Sequence, residues 1–273
     1  MAAPGTALLI GFVIVPLLLV LFISFQTRSV SALWQNIWTL DNYRRALADP
    51  FYLTVMLTST RVALLTTLFC ALIGFPLAHH LARMTGAMRS VLMFLVLCPL
   101  LVSTVIRSFG WLVILGDKGL LNSALTTLGL PPHRVLYTET AIVIGLVHFL
   151  VPFMTLPLMA AIERVPRDIE LAARNLGAAP LMATALVVVP LSIPGFIAGS
   201  VIVFTLSLSA VVTPLFLGGR ETQMIGPQIF DNVLVTFNWP FAGALTSIVV
   251  LVAAAAVFVS GRQGRSAAGL SRE

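Results

Sequence analysis

The sequence predicts an all-α, polytopic membrane protein, and three observations carry that prediction. Hydrophobic residues make up 59% of the 273-residue chain and charged residues only 10%, against about a quarter charged in soluble domains. The mean hydropathy is +1.03. The few charges collect in short connectors and leave long stretches nearly free of them. Such a chain cannot assemble a soluble surface, and its surplus apolar surface requires lipid.

A hydrocarbon core of about 30 Å takes about 20 apolar residues as helix, because each backbone polar group must find its partner within the segment. Six stretches meet that length, at about 7–25, 53–81, 91–115, 141–162, 194–217 and 241–260. The first is read as a span, since it has no basic region before it and is longer than the apolar part of a signal peptide. The run 181–217 is too long for one span and tight for two. Charge decides in favour of one. With six spans, Arg83, Arg89, Arg164, Arg167, Arg174 and the tail residues Arg262, Arg265 and Arg272 share the inner side. Arg28, Arg44, Arg45, Lys118, Arg134 and Arg220 fall outside, which is a modest positive-inside bias. Trp34, Trp38, Trp111, Trp239, Tyr43, Tyr52 and Tyr137 all fall at or beyond the outer boundary. Both termini therefore read as cytoplasmic. Prolines recur inside the spans, at Pro16, Pro76, Pro99, Pro152, Pro157 and Pro214, where they bend helices whose neighbours compensate.

Several classes are excluded. Cys70 and Cys98 have no CxxC or His neighbour, so neither a disulfide framework nor a zinc site is indicated. The arginines are scattered without aromatic interleaving, which argues against nucleic acid. No GxxxxGK[ST] phosphate loop is present, so nucleotide energy must enter from elsewhere. No metal or cofactor is expected. His148 has no HExxH or GxSxG context and reads as a packing histidine rather than part of an intramembrane enzyme. The spans hold no Asp or Glu, which disfavours an ion-coupled secondary transporter.

The most informative connector is 163–180, ERVPRDIELAARNLGAAP. Pro166 suits a first helical turn, Asp168 and Glu170 favour the positive end of the helix dipole, and Gly177 suits a left-handed stop after Leu176. Ile169, Ala172, Ala173 and Leu176 recur at i, i+3, i+4 and i+7, giving an apolar face of mostly small side chains, with Glu170 and Arg174 expected to pair on the surface.

The stretch 171–190, LAARNLGAAPLMATALVVVP, resembles the EAA loop of binding-protein-dependent ABC transporter permeases. Ala172, Ala173, Gly177 and Pro190 match in register, and Val187 and Val189 replace the usual Ile and Leu. Leu171 stands where the family usually has Glu, with Glu170 one residue earlier. GFPLA at 74–78, RSFGWLVILGDKGLLN at 107–122 and SAVVTPLFLGG at 209–219 look like the polyamine branch of that family. The resemblance spans nearly the whole chain. It implies a non-catalytic subunit of a bacterial inner-membrane importer whose residues Ile169, Glu170, Leu171, Ala172, Ala173, Arg174, Leu176, Gly177 and Pro190 couple to a cytoplasmic ATP-binding subunit. It further implies a second permease subunit, expected to be non-identical, and a periplasmic solute-binding protein. The implied solute is spermidine, putrescine or a related small cation, with thiamine, ferric iron, phosphonate and sulfate left open.

Two arginines lie at or within spans, where a charge is a functional candidate by default. Arg61 reads as snorkelling to the interface, and Arg107, inside the family-like RSFGW stretch, as part of an outer gate or a binding-protein contact. Phe204, Ser207, Ser209 and Thr213 are the candidate solute contacts of the fifth span.

Overall fold

The computed structural model describes residues 3–29 and 33–269. Helix α1 (Ala3–Ser24) leads through a short antiparallel ribbon, β1 (Gln26–Thr27) with β2 (Gln35–Trp38), into α2 (Asp41–Ala48). Among the described residues the regular structure is thus helical apart from one small ribbon outside the apolar stretches. Helix α3 (Pro50–Arg83) starts where Asp49 accepts the Phe51 N–H at 2.9 Å and Pro50 fills the first turn. The chain continues through α4 (Ala87–Leu101), α5 (Thr104–Leu115), α6 (Leu120–Thr127) and α7 (Glu139–Glu163). Next come α8 (Arg167–Asn175), α9 (Pro180–Ala183), a π-helical turn (Thr184–Val188) and α10 (Val189–Leu191). The last elements are α11 (Ile193–Leu208), α12 (Val212–Leu217), α13 (Ile225–Leu234) and α14 (Trp239–Gly269).

Among the described residues, three helices are long and apolar enough to cross a membrane: α3, α7 and the Trp239–Gly261 part of α14. Two further pairs pass the same test only as bent units. The stretch 91–115, expected as one straight span, is broken: Ala87–Leu101 meets Thr104–Thr127 at 96°. The break falls at Val102 and Ser103, both extended, just past Pro99. The stretch 194–217 also differs from expectation. Its helix ends at Leu208, and α12 is a separate turn beyond it. On its other side, Pro180–Leu191 joins Ile193–Leu208 at 70°. The side chains of the tail arginines Arg262 and Arg265, and all of Arg272, lie outside the described residues.

The centre of the bundle is α3, α7 and α11, packed mutually along their lengths. In lipid, burial from water does not drive helix association, so close packing must. Gly195 and Gly199, four apart on α11, supply it. A Cβ on Gly195 would lie 2.5 Å from the Pro157 carbonyl, and one on Gly199 would lie 2.8 Å from Met154 Sδ. Gly74 of α3 meets the same fully buried Met154 from the other side. Small residues on α3 and α11 therefore let two backbones converge on α7.

Candidate functional site

The connector between α7 and α11 forms a helix whose end is a Schellman stop. Gly177 takes φ +95°, its N–H donates to Arg174 O at 3.0 Å, and the Ala178 N–H donates to Ala173 O at 3.1 Å. Pro166 sits at the N-cap rather than inside the first turn. The expected surface pair between Glu170 and Arg174 is not what forms. Glu170 turns inward, its carboxylate 3.1 Å from Arg83 Nη2 and 3.7 Å from His79 Nε2, both at the end of α3. Arg83 also donates to Val165 O at 3.0 Å, and Arg167 donates to the Arg83 carbonyl. Alongside, Arg89 of α4 pairs with Glu163 at the end of α7. Glu170 and Ala173 thus face the bundle, while Ile169, Leu171, Ala172 and Leu176 face outward. Of the apolar side chains read from the periodicity, Ala173 faces the bundle, while Ile169, Ala172 and Leu176 lie on the side away from the protein, Leu176 being 89% exposed.

The break between α4 and α5 is held by Arg107, which is 6% exposed. Its guanidinium donates to Pro99 O at 2.9 Å, Val102 O at 3.3 Å and Thr104 Oγ1 at 3.2 Å, and lies 4.2 Å from the Phe149 ring centre. A helix ending inside a bundle leaves carbonyls without donors. One buried guanidinium satisfies two of them and sits over a ring face, which offsets its own desolvation. Arg107, expected in an outer gate or a binding-protein contact, is placed by these bonds at the break between α4 and α5.

Between α3, α4 and α7 lies a cavity of about 1350 Å3. It runs along α3 from Arg61 to His80, about 28 Å at 1.5 Å per residue, close to the hydrocarbon thickness. Its walls are mostly apolar, with Leu65, Phe69 and Ile73 on α3 and Val147 and Val151 on α7. Polar groups stand at three levels. Arg61 and Glu139, with Thr138, Thr140 and Thr222, mark one end. Midway, the Trp111 Nε1–H donates to His148 Nδ1 at 3.2 Å. His80 marks the other end, three residues from the Arg83 that holds α8.

None of Arg107, Phe204, Ser207, Ser209 or Thr213 lines this cavity. Ser207 and Thr213 are buried in helix contacts, and Thr213 Cγ2 packs where a Cβ on Gly145 would stand. Ser209 donates to Thr205 O at 3.0 Å at the end of α11. Arg61, expected to snorkel to the interface, donates through Nε to Glu139 Oε2 at 2.7 Å, with Nη2 on the other oxygen. Sequence reading missed Glu139 because it lies two residues outside the fourth apolar stretch. Its place two residues before that stretch, where an acidic residue suits the first turn of a helix, was the signal available.

Apolar helices bent around a cavity of membrane depth, with a short tethered helix at one end, form the frame of a membrane-embedded translocation subunit. The sequence model of the family "binding-protein-dependent transport system inner membrane component" matches residues 71–263, and the chain belongs to that family. It is a multi-pass inner-membrane component that works with a separate ATPase subunit and a solute-binding protein. The chain is 38% identical over 246 residues to the spermidine/putrescine transport system permease protein PotB of Escherichia coli (strain K12), covering 89% of each chain. It is 38% identical over 253 residues to the protein of the same name from Haemophilus influenzae, covering 92% of this chain and 88% of that one. Its fold is similar to a chain of a bacterial alginate ABC transporter in complex with an alginate pentasaccharide-bound periplasmic protein. That match has a TM-score of 0.77 at 17% identity and covers 97% of this chain and 93% of the other.

Proposed function

We propose that this chain is the permease of a polyamine importer, moving spermidine or putrescine delivered by a periplasmic binding protein. The two permeases named above for those solutes, matched over nearly their whole lengths, support the choice of solute. In this reading the single permease domain crosses the membrane six times, through α1, α3, the bent unit α4–α5, α7, the bent unit ending in α11, and α14. Both termini are cytoplasmic. A second, non-identical permease completes the pathway, and the ATP-binding subunit receives α8.

The observation that carries the coupling assignment is the geometry of α8. Its inward side is fixed to α3 by Glu170 and Arg83, while Ile169, Leu171 and Leu176, with Leu181 just beyond, project outward and uncovered. Exposed apolar side chains clustered at one end of a protein mark a contact surface. Leu171, in the place of the family's Glu, adds an apolar contact there, and Glu170 takes the inward polar role.

The test is solute-stimulated ATP hydrolysis by the complete complex in lipid, comparing the native chain with Gly177→Pro. Proline holds φ near −65° and has no N–H, so it fits neither the +95° of Gly177 nor its bond to Arg174. Loss of stimulation in an assembled complex is the expected result. Unchanged stimulation would sink the coupling role of this loop, and a native complex stimulated by another solute but not by polyamines would sink the choice of substrate.

A further inference from the structure

Glu139 is the only carboxylate on the wall of the membrane-deep cavity among the described residues, and both of its oxygens are taken by Arg61. The two partners are unequally held. Glu139 is fixed in the first turn of α7 with its side chain 21% exposed, whereas the Arg61 side chain is 67% exposed and reaches across from α3. The pair is bidentate, but Arg61 is so exposed that solvent competes for it and it can leave the carboxylate without disturbing packed side chains. The carboxylate also sits where an ammonium group entering the cavity would arrive. Thr138, Thr140 and Thr222 line the same end of the cavity, and the indole of Trp111 lines it deeper in.

We propose that Glu139 is a cation-binding subsite of the translocation pathway and that Arg61 is its resident counter-ion, displaced when an ammonium group of the solute takes the carboxylate. The proposal rests on the polyamine reading. Between transport events Arg61 keeps the carboxylate neutralised, so the mouth of an apolar cavity does not hold an unpaired charge. When a solute ammonium replaces it, Arg61 swings into water, the number of ion pairs is conserved, and the solute is held at the entrance to the apolar walls. An anionic solute would do the reverse, displacing Glu139 from Arg61.

The experiment is spermidine uptake into proteoliposomes holding the complete transporter, at saturating spermidine-loaded binding protein, with Glu139→Gln and Arg61→Met compared with the native chain. Both variants lose the same ion pair, so each controls for the structural cost of losing it. Exchange predicts opposite outcomes: Glu139→Gln slows uptake about tenfold, as expected for loss of a charged contact, while Arg61→Met transports at or above the native rate. Glu139→Asp, which keeps the charge, recovers most of the uptake. Equal loss in Glu139→Gln and Arg61→Met would make the pair a structural brace and overturn the proposal. No loss in either would take Glu139 out of the pathway and overturn it as well. If the native complex imports another solute and no spermidine, the polyamine reading itself fails. Should that solute be an anion slowed by Arg61→Met and not by Glu139→Gln, the subsite belongs to Arg61 instead.

Discussion

Glu170 of α8 meets Arg83 of α3 at 3.1 Å, and this contact fastens the exposed connector helix to the base of the helix that lines the cavity. The side chains of both residues are less than a fifth exposed, and Arg83 simultaneously holds the Val165 carbonyl just before α8. A push on α8 therefore reaches α3 through a side-chain link as well as through the chain itself.

Breaking that link should uncouple the transporter while leaving it assembled. Glu170→Gln or Arg83→Met is expected to lower solute-stimulated ATP hydrolysis about three- to tenfold, in line with a partly buried charged contact worth about 1 kcal/mol. Basal hydrolysis should be unaffected. The exchanged double variant Glu170→Arg with Arg83→Glu should recover part of the stimulation, and a double variant no better than the single ones would show that the pair does not transmit the movement.

Gly177→Ala is the milder counterpart of the proline substitution. An L-residue at φ +95° costs about 1 kcal/mol. No atom outside its immediate chain neighbours lies within 4 Å of an added Cβ there, so backbone strain is the whole effect. A partial loss of stimulated hydrolysis, smaller than that of Gly177→Pro, is expected, and equal losses in the two variants would mean that the positive φ alone matters and that the N–H lost with proline contributes nothing.

Arg107 should behave as a staple. Arg107→Met removes the donors that Pro99 O and Val102 O share, leaving part-buried carbonyls unpaired at a cost of about 1–2 kcal/mol. The thermal midpoint of the purified complex should fall by several degrees. Arg107→Lys keeps the charge without the planar fork and should recover only part of the loss; full recovery would mean that charge alone matters at this position.

The packing of α11 on α7 gives a stability prediction with an internal control. Gly195→Ala and Gly199→Ala each place a methyl within 3 Å of α7 atoms, and overpacking of this kind costs about 1–3 kcal/mol. Gly110→Ala, whose Cβ meets nothing within 4 Å, should leave thermal stability unchanged. Similar midpoints for all three variants would rule out close approach at Gly195 and Gly199.

What could be read in the sequence follows from the range of the interactions concerned. Apolar runs such as those of α3 and α7 are set by lipid, which acts on each residue separately, and they were legible. The stop at Gly177 is local backbone chemistry, legible for the same reason. Glu170 was assigned to the nearby Arg174 because a helix period suggests neighbours, yet its partner Arg83 lies on another helix, where no local pattern reaches. The bend after Pro99 was missed because Pro152 and Pro157 sit inside an unbroken α7, so proline alone does not distinguish a kink from a break. What distinguishes them is Arg107, whose guanidinium replaces the lost backbone bonds, and that role shows only when the helix ends are placed. Gly195 and Gly199 did carry a readable signal in their spacing of four, unlike the buried Ser207 of the same helix.

Helix α7 carries one acidic residue at each extremity, and each is claimed by an arginine from a different helix: Glu139 by Arg61 of α3, Glu163 by Arg89 of α4. The two anchors stand about 36 Å apart along a helix of ideal rise. A piston-like slide of α7 by even one turn would pull against both moorings at once. A tilt or a roll about its own axis strains them far less. If the solute unfastens the Arg61 mooring, the Glu163 mooring still stands, so the charge that ties α7 to its neighbours is then carried by the opposite end of the helix alone, like a mast left on a single stay.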